Sequence, residues 1–441
     1  MNSNRPSQPA TFPRRRFVQC LAAATAAPAI IPASVLAQAG KNAPSNQLSL
    51  GLIGHGDMGT GHLRHALSQK GVRVTALCDI NEHHLDRAKK LVAEAYGKPD
   101  VKAYRDFREL NADPSIDAVL IALPVHWHCL AGVDAIMQRK PLYLEKPVSL
   151  TFEEAALVRA AVRKQKTIFQ LGTQQRSDRN FRWACELALN GRLGKLQEVR
   201  VAVPGGRQCE TLADETVPDW LDWNRWVGPA PMIGFNEKRL IRDYHENMAN
   251  FSLGFISCWG IHHLDIAQWG NGTEKTGPVR VEATGSFPDP GSCNTLMTWK
   301  ARFEFADAAP ISFANIPQFE SGVRFIGDNG WVHVDRGLIE ANPQKLLEDP
   351  QTKPGQMPIK LIESTDHQSN FFEAVRSGKP TIAGIETGLR SDTLSHLAWI
   401  AAKLGRKLSW DPQAEHFVND TAADALLKAR PMRGPWSLPV V

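Results

Sequence analysis

None of the seven cysteines is spaced as CxxC, the sequence holds no HExxH, and no run of apolar residues is long enough and free of proline to span a bilayer. These gaps indicate neither a disulfide framework nor a common structural zinc site or zincin centre, and they argue against a transmembrane helix. Residues 1–39 hold four arginines and no acid; setting those four aside from the 51 basic residues leaves 47 against 46 acidic ones, so the +5 formal charge belongs to the N-terminus. The remaining near-neutral chain has no basic footprint for nucleic acid. No internal repeat or low-complexity segment is found, and 441 residues with 43% hydrophobic content can bury a large core.

The arginines mark a targeting segment. Arg14-Arg15-Arg16-Phe17-Val18 fits a twin-arginine signal, an alanine-rich stretch runs from Leu21 to Ala33 with Pro28 and Pro32 interrupting it, and Ala37-Gln38-Ala39 offers a cleavage site. The expectation is a signal peptide over 1–39, export to the periplasm by the twin-arginine machinery with the cofactor loaded beforehand, and no stable membrane anchor. Cys20 leaves with the signal, and most of the other six cysteines are expected to be small buried residues.

After a linker over 40–47, Leu48–Ile53 reads as a buried strand, and Gly54-His55-Gly56-Asp57-Met58-Gly59 follows at once. Glycines are needed there because only a bare backbone approaches a pyrophosphate held on a helix N-terminus. A second strand, Val72–Cys78, ends in Asp79, where a carboxylate accepts from both ribose hydroxyls of NAD and repels a 2′-phosphate; a neighbouring arginine such as Arg87 would instead allow NADP. Strand patterns at 116–123, 141–145 and 167–171 alternate with helical ones at 130–138 and 152–164, which predicts a doubly wound parallel sheet over 48–171. From 172 to 441 the texture is α+β: strands at 197–203, 279–285, 296–305 and 330–334 predict a large open, mainly antiparallel or mixed sheet. Helical spacing at Phe371–Val375 and Leu389–Leu404 predicts helices that pack back on the nucleotide half. The open sheet suggests a homo-oligomer.

Two further marks carry chemistry. In Glu145-Lys146-Pro147 the proline keeps Lys146 out of the helical region at a strand end, so its amine is aimed to shuttle a hydroxyl proton. In Cys258-Trp259-Gly260-Ile261-His262-His263-Leu264-Asp265, helical spacing places Cys258, His262 and Asp265 on one face, so Asp265 could orient His262 as a base. His126, His128, His262 and His263 lack metal-ligand spacing, so no metal is expected.

These motifs resemble those of the Gfo/Idh/MocA family, which includes glucose/fructose oxidoreductase and inositol dehydrogenase. The resemblance implies a Rossmann domain, a C-terminal α+β substrate domain, and NAD, tightly bound, held by Gly54, Gly56, Asp57, Met58, Gly59, Asp79, Leu123, Pro124, His128, Glu145 and Lys146. It implies Lys146 and His262 as the catalytic pair with Asp265 in support, and Gln174, Arg176, His263 and Trp223 toward a carbohydrate. One departure stands out: the family commonly shows Asp-x-x-x-His, and Cys258 occupies the aspartate position. A mostly neutral thiol cannot stabilise an imidazolium. The expected activity is hydride transfer between NAD(P) and a secondary hydroxyl or ketone of a sugar or cyclitol. The alternatives are an NAD-dependent glycosidase or lyase working through a transient keto-sugar, and a non-catalytic sugar- or cofactor-binding protein.

Overall fold

The computed structural model describes residues 47–98 and 100–441; the expected signal peptide and linker residues 40–46 lie outside them. Six short strands, β1 (Leu48–Ile53), β2 (Val72–Cys78), β3 (Lys102–Tyr104), β4 (Ala118–Ile121), β5 (Leu142–Leu144) and β6 (Phe169–Leu171), form one sheet in the order β3-β2-β1-β4-β5-β6. Every pairing in it is parallel. Residues of β1, β4 and β5 are almost wholly buried, as a sheet covered by helices on both faces requires. The strand order reverses between β1 and β4, and ligands of such sheets bind beyond the strand C-termini at that switch point.

The second sheet has nine strands in the order β13-β12-β11-β7-β10-β9-β8-β14-β15, with β7 at Leu196–Val203, β8 at Arg280–Ser286, β9 at Thr298–Glu304 and β10 at Ile311–Asn315. β11 (Gly322–Gly327), β12 (Gly330–Asp335), β13 (Leu338–Asn342), β14 (Leu408–Asp411) and β15 (His416–Phe417) complete it. The β7–β10 pair is parallel and the others are antiparallel, so the sheet is mixed. The helices Gly260–Asn271 and Ile385–Leu404 pack against it. Helix His367–Ser377 drives Phe371 and Phe372 into the core of the first sheet beside Leu48, Leu50 and Val74. Among the described residues no helix is long and apolar enough to cross a membrane.

Between β7 and helix Gly260–Asn271 the chain runs through short helical turns that carry their own apolar cluster, with Leu221, Trp223, Trp226, Phe235 and Phe251 at its centre. This segment reaches the first sheet's loops: Asn81 and Leu221 form a β-bridge, and Glu82 N–H donates to Trp220 O at 3.0 Å. It roofs the cleft at the end of β1 and β2.

Candidate active site

The glycine turn has three different physical causes. Gly54 has φ +86, and a Cβ there would lie 2.3 Å from Ala122 O; a Cβ on Gly59 would lie 1.9 Å from Gly54 O, so helix Asp57–Ser68 can approach β1 only with glycine at 59. Gly56, by contrast, would meet nothing within 4 Å, because it faces a cavity of about 710 Å³. No side chain caps that helix at Gly56, so its first N–H groups remain for an anion, which is the cradle a dinucleotide pyrophosphate needs.

Asp57, Met58 and Asp79 also line this cavity. Asp79 accepts from His55 N–H at 2.7 Å and from Asn81 N–H at 2.9 Å. Burial works to raise its pKa, but the His84 hydrogen bond and the His55 ring outweigh that and hold the carboxyl below its ordinary range. The nearby guanidinium groups are engaged elsewhere: Arg87 donates to His55 O (2.7 Å) and Thr60 Oγ1 (3.2 Å), and Arg105 pairs with Glu82 and Ile80 O. A ribose hydroxyl pair therefore meets a carboxylate whose neighbours Arg87 and Arg105 are already engaged, which fits NAD.

At the other end of the cavity Leu123, Pro124, Glu145 and Lys146 form the wall. His128, expected against the cofactor, stands behind that wall. Its ring nitrogens lie 2.7 Å from Pro147 O and 2.8 Å from Leu123 O, so it ties the two wall-forming loops together. Glu145 is buried against His62 (2.8 Å); burial raises its pKa, and His62 with Lys146 reverses the shift to leave it below the usual value. Exposed Gln174 reaches Glu145 Oε1 at 3.4 Å and does not itself line the cavity.

Lys146 Nζ donates to Cys258 O at 3.1 Å and lies 4.0 Å from Glu246 Oε1. That contact joins the first sheet's loop to the helical turn Phe255–Cys258, where the following helix brings His262 to within electrostatic reach of the amine. His262 is 6% exposed, its Nδ1 has no partner, and burial, then Lys146 and Arg336, push its pKa well down, so the ring is neutral. The Cys258 thiol sits 3.1 Å from Ser252 Oγ, and burial drives its pKa up.

Four sequence expectations need correction. Asp265 does not orient His262, because Arg176 grips both its oxygens at 2.6 and 2.9 Å and Ser391 donates to it at 2.7 Å. Arg176 is 3% exposed and also pairs with Glu274 at 2.7 Å, so it serves packing and not a substrate. His263 is 2% exposed and faces Asp335 at 3.7 Å. Trp223 stacks on Trp226 with ring centres 4.7 Å apart, and its Nε1–H donates to Ile233 O. Three cavity residues that the sequence reading missed, Arg242, His245 and Glu246, come from the roof segment, where no hydrophobic period signals their direction. Among the described residues no cluster of three or more His, Cys, Asp or Glu could hold a metal ion. His126 is engaged instead with Trp226 O.

A parallel sheet with a glycine cradle at its switch point, followed by a large mixed sheet and roofed by the segment between β7 and helix Gly260–Asn271, defines a dinucleotide-binding oxidoreductase fold. The chain belongs to the Gfo/Idh/MocA oxidoreductase family: the NAD-binding Rossmann-fold model matches residues 48–173 and the C-terminal alpha/beta-domain model matches residues 206–438. Among curated relatives, a myo-inositol 2-dehydrogenase of Thermotoga maritima is 31% identical over 155 residues, 35% of this chain and 44% of the relative. A glycosyl hydrolase family 109 protein of Shewanella sp. (strain ANA-3) is 34% identical over 134 residues, 29% of each chain. The chain thus spans less than half the length of these relatives. A scyllo-inositol dehydrogenase from Lactobacillus casei, solved with NAD(H) and scyllo-inositol, superposes with TM-score 0.57 at 17% identity over 82% of this chain and 99% of the other, a likeness of fold.

Proposed function

We propose that this protein is an NAD-dependent oxidoreductase that interconverts a secondary hydroxyl and a ketone on a sugar or cyclitol. The observation that carries the reading is the Lys146 amine, set in the cavity wall between Cys258 O and the Glu246 carboxyl. NAD, held by Gly54 to Gly59 and Asp79, supplies the two-electron hydride acceptor. In the oxidation direction Lys146 Nζ orients the substrate hydroxyl, and the Lys146–Glu246 pair takes its proton as the carbonyl forms. Neutral His262 borders the same amine and can accept the hydroxyl proton in the oxidation direction. Glu246 gives the site the acidic partner that Cys258 cannot, which weighs against a non-catalytic binding protein. The inositol dehydrogenases among the relatives support the substrate class.

A second reading has support in the family 109 relative and the roofed cleft: transient oxidation of a ring carbon acidifies the neighbouring C–H, a glycosidic bond is eliminated, and hydride returns. A panel of sugars and their methyl glycosides separates the two. A net change at the nicotinamide absorbance band marks the dehydrogenase, and glycoside cleavage without net change marks the other. In either case Lys146→Ala is expected to abolish turnover while the dinucleotide stays bound; full turnover in that variant would remove the amine from the reaction.

The same proposal includes twin-arginine export of the loaded protein, supported by Arg14 to Val18. It also includes division near residue 171 and self-association through the nine-stranded sheet, supported by the exposed alternate positions of β8 and β13.

A further inference from the structure

The roof over the cleft is anchored at its root by two cysteines 84 residues apart. Cys209 follows β7, and Cys293 lies in the β8–β9 connection. Their sulfur atoms are 2.6 Å apart, and the Cys293 N–H points at Cys209 Sγ at 3.1 Å. The flanking backbone holds them in place whatever their oxidation state: Leu212 N–H donates to Ser292 Oγ at 2.8 Å, and Ser292 N–H donates to Glu210 O at 3.3 Å. A Cβ on Gly291 would lie 2.2 Å from Cys209 O, so the two chains are in backbone contact. Cys209 is partly exposed and Cys293 is buried, whereas Cys78, Cys129, Cys185 and Cys258 are all buried and apart.

We propose that Cys209 and Cys293 form an oxidisable dithiol, closed to a disulfide by exchange with a small-molecule disulfide such as oxidised glutathione, and that the closed form fastens the roof to the β8–β9 connection. The partly exposed Cys209 sulfur, as thiolate, attacks one glutathione sulfur and expels a glutathione thiolate. Cys293 then displaces the second glutathione from the mixed disulfide, giving up its own proton. Two protein thiols are oxidised, and one glutathione disulfide is reduced to two glutathiones. Burial pushes the Cys293 thiol up to about 12, which makes Cys209 the point of entry. The exchange depends on neither export nor turnover.

The test treats the full chain with glutathione disulfide and maps peptides without reduction. The expected product links the peptides of Cys209 and Cys293, while Cys293→Ser stops at a glutathione adduct on Cys209. Amide hydrogen exchange is then compared between oxidised and reduced protein at two reporters of the roof, Glu215 N–H, bonded to Phe235 O, and Glu82 N–H, bonded to Trp220 O. Exchange is expected to slow by about threefold or more on oxidation. A wild-type protein that carries only the mono-adduct overturns the proposal, and so does a linked product whose roof amides exchange at the reduced rate. Neither readout involves substrate, so failure here is distinct from failure of the proposed activity.

Discussion

Glu246 is buried within 4.0 Å of an amine, and the two influences on its carboxyl oppose each other. Burial raises its pKa, Lys146 draws it down, and the balance stays above the ordinary value. A raised folded pKa means that the protonated form stabilises the fold fully below the unfolded value, about 4.3, and that this contribution is lost as pH rises through the folded pKa. Glu246→Gln removes the loss. It is therefore expected to fold more stably than the parent at pH 7 and equally well near pH 4, read from urea denaturation, while turnover falls about 100-fold. A variant that loses both stability and activity would make Glu246 structural. Lys146 was legible in the sequence because a proline follows it at a strand end. Glu246 was not, since its address is set by the roof's apolar cluster and not by any local period. Asp265 was misread because helical spacing shows which face a side chain occupies and says nothing of Arg176, 89 residues earlier, that claims that face.

Among the elements, helix Ile385–Leu404 illustrates both what spacing reveals and what it hides. Its leucines were readable as a buried stripe, yet Ser391, Asp392, Ser395 and His396 are equally buried. Asp392 accepts from Ser149 N–H at 3.3 Å, two residues beyond Pro147, and burial lifts its pKa to about 8. The parent's stability should fall between roughly pH 4 and pH 8, because over that range the unfolded chain ionises this carboxyl while the folded interior keeps it protonated. Asp392→Asn should flatten that stretch of the melting-temperature profile; an unchanged profile would place the titration elsewhere. Strands with one wet face, such as β8 and β9, were visible through alternation. Strand β10, buried at all five positions, and β11, closed by a glycine at each end, gave no such pattern. The first helix starts at Asp57 and carries glycines at 59 and 61, because the tight seat of Gly59 on Gly54 O outweighs glycine's poor helix propensity.

For the whole molecule, the two sheet classes and their order along the chain were legible, while the clamp between them was not. Arg176 leaves the turn after β6 and pairs with Asp265 and Glu274 of the other half, its guanidinium resting on Trp269 at 4.8 Å. Arg176→Ala strands a buried carboxylate and is expected to cost about 3–5 kcal/mol in denaturant unfolding. Dinucleotide affinity should survive, because the glycine cradle lies elsewhere; a loss confined to affinity would contradict this assignment.

Trp436 lines the cavity and stands edge-on to Trp127 at 4.7 Å, while Arg433 donates to Asn224 of the roof at 2.8 Å. Arg433 and Trp436 are therefore woven into the nucleotide's surroundings. A frameshift or premature stop ahead of them that spares every catalytic side chain would still strip an aromatic panel from that chamber, and a bulky insertion beside them would crowd it.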